Sequence, residues 1–263
     1  MTRPEPAAET AAEQTLDTLR VERRPDRTVV TLDRPAERNA INAAMVEELH
    51  GICAELEHTP RVLVLTGGTD GVFAGGADIA QLREQRRQDA LAGINLRLFE
   101  RIRQLPMPTV AAVDGHALGG GAELSYACDL RLSTPRTRFG QPEPQLGIMA
   151  GAGAAYRLVR LLGESVAKQV LLAGSVLDAQ RALELGLVLE VAPPEELLAR
   201  THATVDRMLR GSAVALRLTK LVADAPQEAH PQLDLVAQAV LFEDEEKFAR
   251  MDAFLSRRSR TGR

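Results

Sequence analysis

Polar and apolar positions divide this chain into two kinds of territory. TLRVERRPDRTVVTLD, residues 18–33, places two β-branched runs around the turn RPDR and predicts a hairpin. Over 39–58, Ile41, Met45, Leu49, Ile52 and Leu56 recur at helical spacing. RVLVLTG, 61–67, is a continuous apolar run ending in glycine, as expected of a strand covered on both faces. A charged helix is predicted from about 79 to 103, a second buried strand at 108–115 and a short strand at 130–135. Residues 151–163, 164–174 and 178–186 read as helices separated by glycine, a stop signal. A strand is expected at 187–193, and everything from 194 to 258 reads helical. Strands and helices therefore alternate first, and helices alone follow. That pattern predicts an α/β core over 18–193 carrying a helical region over 194–263. Residues 1–17 are polar and carry no apolar targeting segment, so they are expected to form a disordered tail.

Composition narrows the possibilities. The 263 residues are 45% hydrophobic, enough for a sizeable core. The formal net charge is -4, so no global basic field exists to hold nucleic acid or an anionic membrane. No apolar run approaches the roughly 18 residues of a membrane span. Cys53 and Cys128 form no disulfide framework and no zinc-ligand spacing, which fits a reducing, cytoplasmic setting without a metal.

Two glycine-rich turns remain to be explained: FAGGADI at 73–79 and GHALGGGAEL at 115–124. Each follows an apolar run and precedes a helical stretch. Glycine there could simply let a helix approach a sheet. It could cradle a phosphate, but GGGAELS lacks the Lys-Ser/Thr of a P-loop, and GAGAAY puts Tyr156 where a dinucleotide motif needs a small residue. The third reading is an oxyanion hole, which needs two N–H groups converging on one oxygen. Two strand–turn–helix junctions could supply one donor each.

FAGGADI, VDGHALGGGAELSYACDLRL (113–132) and FGQPEPQLGIMAGAGAAYRL (139–158), with RPAERNAIN (34–42) and the tail FEDEEKFARMDAFLSRR (242–258), give the chain its resemblance to the crotonase (enoyl-CoA hydratase/isomerase) superfamily. The match runs from about Thr18 to Arg258 in consistent order. The resemblance implies a spiral core of ββα units. It implies an oxyanion hole from the N–H groups of Ala77 and Gly120, and catalytic glutamates at Glu123 and Glu143. Gly151 would lie beside the catalytic water. Arg38, Ala40, Gly75, Gly76, Asp78 and Ile79 would border coenzyme A, and Phe242 and Arg257 would contact ligand from the tail. Coenzyme A would enter as part of an acyl-CoA thioester substrate, with no separate cofactor, and assembly as a homotrimer or dimer of trimers is implied. Ala150 and Ala154 depart from the proline and glycine common in the family.

The implied activity is hydration of a 2-enoyl-CoA to a 3-hydroxyacyl-CoA. The alternative within the superfamily is an enoyl-CoA isomerase, which typically needs one carboxylate, at the position of Glu143. A non-catalytic assembly protein on the same scaffold is expected to lose a glutamate or a donor turn, and both are present. Read from the residues alone, Asp78 is a helix cap and His116 is structural.

Overall fold

The computed structural model describes residues 12–261 and divides into two compact units between Ala203 and Thr204. Its strands in chain order are β1 (Ala12–Thr15), β2 (Leu19–Arg23), β3 (Arg27–Leu32), β4 (Val62–Thr66), β5 (Val72–Ala74), β6 (Thr109–Val113), β7 (His116–Leu118), β8 (Leu130–Ser133), β9 (Arg138–Gly140), β10 (Leu177–Asp178) and β11 (Glu190–Val191). They form two sheets. The larger has the order β1-β2-β3-β4-β6-β8-β11, and the smaller β10-β9-β7-β5. From β3 onward the large sheet is parallel. In the small sheet β5, β7 and β9 run parallel, and β10 is antiparallel to β9.

The path between the sheets repeats. β4 leads to β5, β6 to β7 and β8 to β9, each pair crossing from the large sheet to the small one. Helices follow each crossing: α2 (Ile79–Glu84), α3 (Arg87–Ala92) and α4 (Ile94–Arg103) after β5, α5 (Gly120–Ala127) after β7, and α6 (Ala154–Leu171) after β9. This is the ββα spiral expected of the fold. All five residues of β4 and of β6 are buried, which is why their sequences show no alternation. Phe73 on β5, Phe99 on α4 and Phe139 on β9 are fully buried in one core.

Several sequence expectations shift. The helix expected from residue 39 is α1 (Ala43–His58), because Arg38 and Asn39 hold left-handed φ of 53° and 54° and Asn42 caps the Met45 N–H. The charged helix of 79–103 is three helices, broken at Gln85 and at Gly93, where φ is 60°. The two helices expected over 151–174 are present as the two halves of α6, separated as expected at Gly163, whose φ of 76° and ψ of 160° are non-helical. Of the strand expected at 187–193 only Glu190–Val191 forms. Of the tail expected over 1–17, residues 12–15 pair with β2 as a strand, and residues 1–11 lie outside the described residues. β5, β7 and β9 are not anticipated, at three residues each.

After α7 (Ala179–Glu184), α8 (Leu197–Leu209) crosses the division. The second unit continues with α9 (Ala213–Asp224), α10 (Gln232–Phe242) and α11 (Glu245–Thr261), helical as the sequence suggests.

Candidate active site

Three neighbouring parallel strands end side by side, and each ends in one of the sequence motifs. β5 runs into Gly75-Gly76-Ala77, β7 into Gly119-Gly120, and β9 into Gln141-Pro142-Glu143. Adjacent strands lie about 4.8 Å apart. Segments some forty and twenty residues apart in sequence are thereby brought within side-chain reach.

The first turn aims its amide by β-type alternation. Ile41 N–H donates to Gly76 O at 2.8 Å and Asp78 N–H donates to Ile41 O at 2.9 Å. Those bonds use the groups on one edge of the segment, so the Ala77 N–H between them faces the other way. It faces Gly120: a Cβ built on Gly120 lies 3.3 Å from Ala77 N. Gly120 is the first residue of α5, so its own N–H is one of the helix's orphan donors. Among the described residues neither amide donates to a protein acceptor. Two unoccupied N–H groups therefore sit together, one of them at a positive helix end.

Glu123 is 3% exposed on α5, one turn beyond Gly120. Its Oε1 accepts from Ala152 N–H at 2.8 Å and Ala154 N–H at 2.9 Å. Burial raises its carboxyl to about 7, reinforced by the charge of Glu143, while the two amides and Arg157 act in the opposite direction. Glu143 opens a short 3-10 helix, Glu143–Leu146, and is 8% exposed. Burial pushes it above the usual carboxylate range as well. With its amide turned to donate, Gln141 Nε2 reaches Glu143 Oε1 at 3.1 Å and Oε2 at 3.0 Å. Two elevated acids beside two free amides form an arrangement suited to moving protons around a carbonyl whose oxygen becomes negative.

A cavity of about 640 Å³ joins these groups. Gly75, Gly76, Ala77, Asp78, Ile79, Gly120, Glu123, Glu143 and Gly151, all expected from the sequence, line it. Apolar walls come from Leu82, Ile94, Leu96, Leu146, Ile148 and Met149, so the segments that flank the motifs supply the acyl-sized space. Asp78 also caps α2, its Oδ1 accepting from Ala80 and Gln81 N–H at 3.1 and 3.2 Å. Ala154 still donates to Glu123 although the family commonly has glycine there.

Arg38, Ala40, Phe242 and Arg257 are not among the residues that line this cavity. Arg38 lines a separate cavity of about 370 Å³ with Arg20, Asp33 and Asp70, and its carbonyl accepts from Gly75 N–H at 2.9 Å. Ala40 O accepts from Arg34 Nη1 at 2.5 Å, so it serves the loop before α1. His116, read as structural, is exposed on β7 and does not line the larger cavity. Phe242, the last residue of α10, is half-exposed, with Lys247 Nζ 4.9 Å from its ring. Arg257 is exposed on α11. Both belong to the second unit.

Residue-level reading missed Gly119, Gln141 and Arg157. Gly119 carries φ 50° directly under Glu143, and Gln141 braces that carboxyl. Both lie inside quoted motifs, where the glycine triplet and the residue two before Glu143 were the available signals. Among the described residues there is no cluster of metal-ligating side chains and no helix long and apolar enough to cross a membrane.

The strand order, the paired amide turns and the two buried glutamates define a crotonase-type site, and the chain belongs to the enoyl-CoA hydratase/isomerase family, which matches residues 27–260. Among curated relatives, a short-chain-enoyl-CoA hydratase of Clostridium acetobutylicum is 33% identical over 242 residues, covering 89% of this chain and 93% of that protein. A 2,3-dehydroadipyl-CoA hydratase of Escherichia coli is 35% identical over 237 residues, covering 88% and 92%. A solved enoyl-CoA hydratase from Geobacillus kaustophilus has a TM-score of 0.87 at 28% identity, covering 94% of this chain and 97% of that one.

Proposed function

We propose that this protein is an enoyl-CoA hydratase, adding water across the 2,3 double bond of a 2-enoyl-CoA. The observation that carries the reading is the pair Glu123 and Glu143, both buried and both elevated, lining one cavity with the free amides of Ala77 and Gly120. The thioester oxygen binds between those amides, which stabilise the enolate formed when oxygen attacks Cβ. Glu123, ionised, takes a proton from water as its oxygen bonds to Cβ. Glu143, protonated, delivers a proton to Cα. The pair begins and ends with one proton, so water is the only reactant consumed besides the enoyl thioester. Each proton transfer contributes about 10²- to 10⁴-fold.

Two carboxyl groups favour hydration over double-bond isomerisation, for which one suffices. Purified protein supplied with crotonyl-CoA tests this: 3-hydroxybutyryl-CoA is the expected product, and a shifted double bond or no turnover rejects the reading. In the same reading coenzyme A is part of the substrate, Phe242 and Arg257 contact it, and the chain assembles as a trimer or dimer of trimers. The exposed apolar side chains Leu235, Val236 and Val240 on α10, and Phe248, Met251 and Phe254 on α11, support such self-association. Two buried cysteines outside any disulfide, Cys53 and Cys128, support a cytoplasmic setting.

A further inference from the structure

Arg157 is a buried cation with no part in the chemistry above. It lies on the first turn of α6 and is 3% exposed. Its Nη1 donates to Ala152 O at 2.9 Å and its Nη2 donates to Glu100 Oε1 at 2.6 Å. Tyr156, the next residue back, donates its hydroxyl to the same Glu100 oxygen, and the guanidinium carbon sits 5.2 Å from the Tyr156 ring centroid. The buried Nε finds no acceptor among the described residues.

The turn that Arg157 grips is the one that holds Glu123. Ala152 gives its carbonyl to Arg157 and its N–H to Glu123 Oε1, and Ala154 gives Glu123 a second N–H. Between them Gly153 adopts φ 116°, and a Cβ there would stand 2.2 Å from Arg157 Nη1. The guanidinium thus occupies the space that glycine vacates. Burying an arginine is costly unless it is paired and hydrogen-bonded. Glu100, reaching over from α4, supplies that partner.

We propose that Arg157, anchored by Glu100 and Tyr156, is a positioning residue for Glu123. It fixes the 152–154 turn so that two amides meet one carboxyl oxygen, and its positive charge favours the ionised carboxylate that accepts the proton from water. The charged and titratable groups around Glu123 are Glu143 beyond β9, Tyr126 on α5, Arg157 on α6 and, behind Arg157, Glu100 on α4. Glu143 opposes ionisation and Arg157 favours it.

The test compares Arg157→Met, Arg157→Lys and Glu100→Gln with the unaltered protein. It uses two readouts: the acid limb of kcat/KM for crotonyl-CoA, and a carboxyl-carbon NMR titration of Glu123. Removing the cation should move the Glu123 midpoint up by about one pH unit. Lysine should restore the midpoint but, lacking the two-pronged grip, leave kcat about tenfold low. Glu100→Gln should move the midpoint down, because the cation loses its counter-charge. KM should stay within about twofold throughout. Unchanged midpoints, or Arg157→Met and Glu100→Gln shifting the same way, would overturn the proposal. If Arg157→Met does not fold, the two other variants still decide it: a midpoint lowered in Glu100→Gln and unshifted in Arg157→Lys is the result expected, and a Glu100→Gln midpoint that stays or rises overturns the proposal. The proposal rests on the hydration reading only for its kinetic readout. Absent turnover by the unaltered protein would reject that reading, while the NMR titration would still judge Arg157.

Discussion

A Cβ added to Gly119 would lie 2.8 Å from Glu143 Oε1, so the glycine at the end of β7 is the floor on which the second acid rests. Its φ of 50° with ψ of -127° is also a conformation that side-chain-bearing residues rarely adopt. Gly119→Ala should therefore displace the carboxyl and distort the neighbouring Gly120 amide together. A fall in kcat of about 10²-fold or more is expected, since one misplaced donor alone has that effect. Steady-state kinetics decide it, and a variant with normal kcat would contradict this placement of Glu143.

Glu123→Gln and Glu143→Gln should each lower hydration of crotonyl-CoA by about 10²- to 10⁴-fold. The double variant should be little worse than the poorer single one, because the carboxyls act as a unit. Binding of the product thioester, followed by calorimetry, should survive in all three. Additive losses would mean that the acids work in separate steps.

Glu123 also couples pH to folding. Its carboxyl rises from 4.5 to about 7 in the folded chain. A raised acid stabilises the fold fully only below the unfolded value, and that contribution is lost as pH climbs through 7. From this group alone, stability should fall between about pH 4.5 and 7 by an amount on the order of 3 kcal/mol. Glu123→Gln should therefore unfold at higher denaturant than the unaltered protein at pH 8, with the gap closing near pH 4. An equal gap at both pH values would argue against a raised carboxyl.

Asp114 shows the opposite sign. It directly follows β6, its side chain is 2% exposed, and it accepts from Thr134 Oγ1 and Arg136 Nε, each at 2.7 Å. Burial works to raise its carboxyl, and the Arg136 and Thr134 hydrogen bonds outweigh that, leaving it below the ordinary aspartate value of 3.8. Its stabilising contribution is present above that value and disappears as pH falls through the lower folded one. Arg136→Met should cost about 2–3 kcal/mol at pH 7, discounted for the half-exposed arginine, and less in strong acid. Urea unfolding at the two pH values measures the difference.

The motifs were legible because their constraints are local. Glycine must fill positions such as Gly119 and Gly76, where φ reaches 120°, and the acids stand at fixed offsets from those turns. Asp78 was readable as a cap from its place before a helix. What joins the motifs was not legible. β5, β7 and β9 have three residues each, too few for a period to register, and they exist because they pair with one another. Gly93 and the Gln85–Arg86 break interrupt a stretch whose charge pattern suggested one helix. Arg157 carried no signal by residue type, since its role depends on Glu100 arriving from fifty-seven positions upstream. Nor does the sequence show that Arg38 takes a left-handed backbone, with φ of 53°, and lines the second cavity.

The placement of the motifs on three consecutive strand ends has an evolutionary consequence. Between the first and second ends, α2, α3 and the start of α4, residues 79 to 96, border the cavity without belonging to the chemical apparatus. That interval can be lengthened, shortened or rewritten to admit a different tail while the reacting groups keep their coordinates. Conversely, no contiguous fragment ending before Glu143 holds a complete apparatus, so proteolysis or premature termination upstream of that residue leaves nothing partially active.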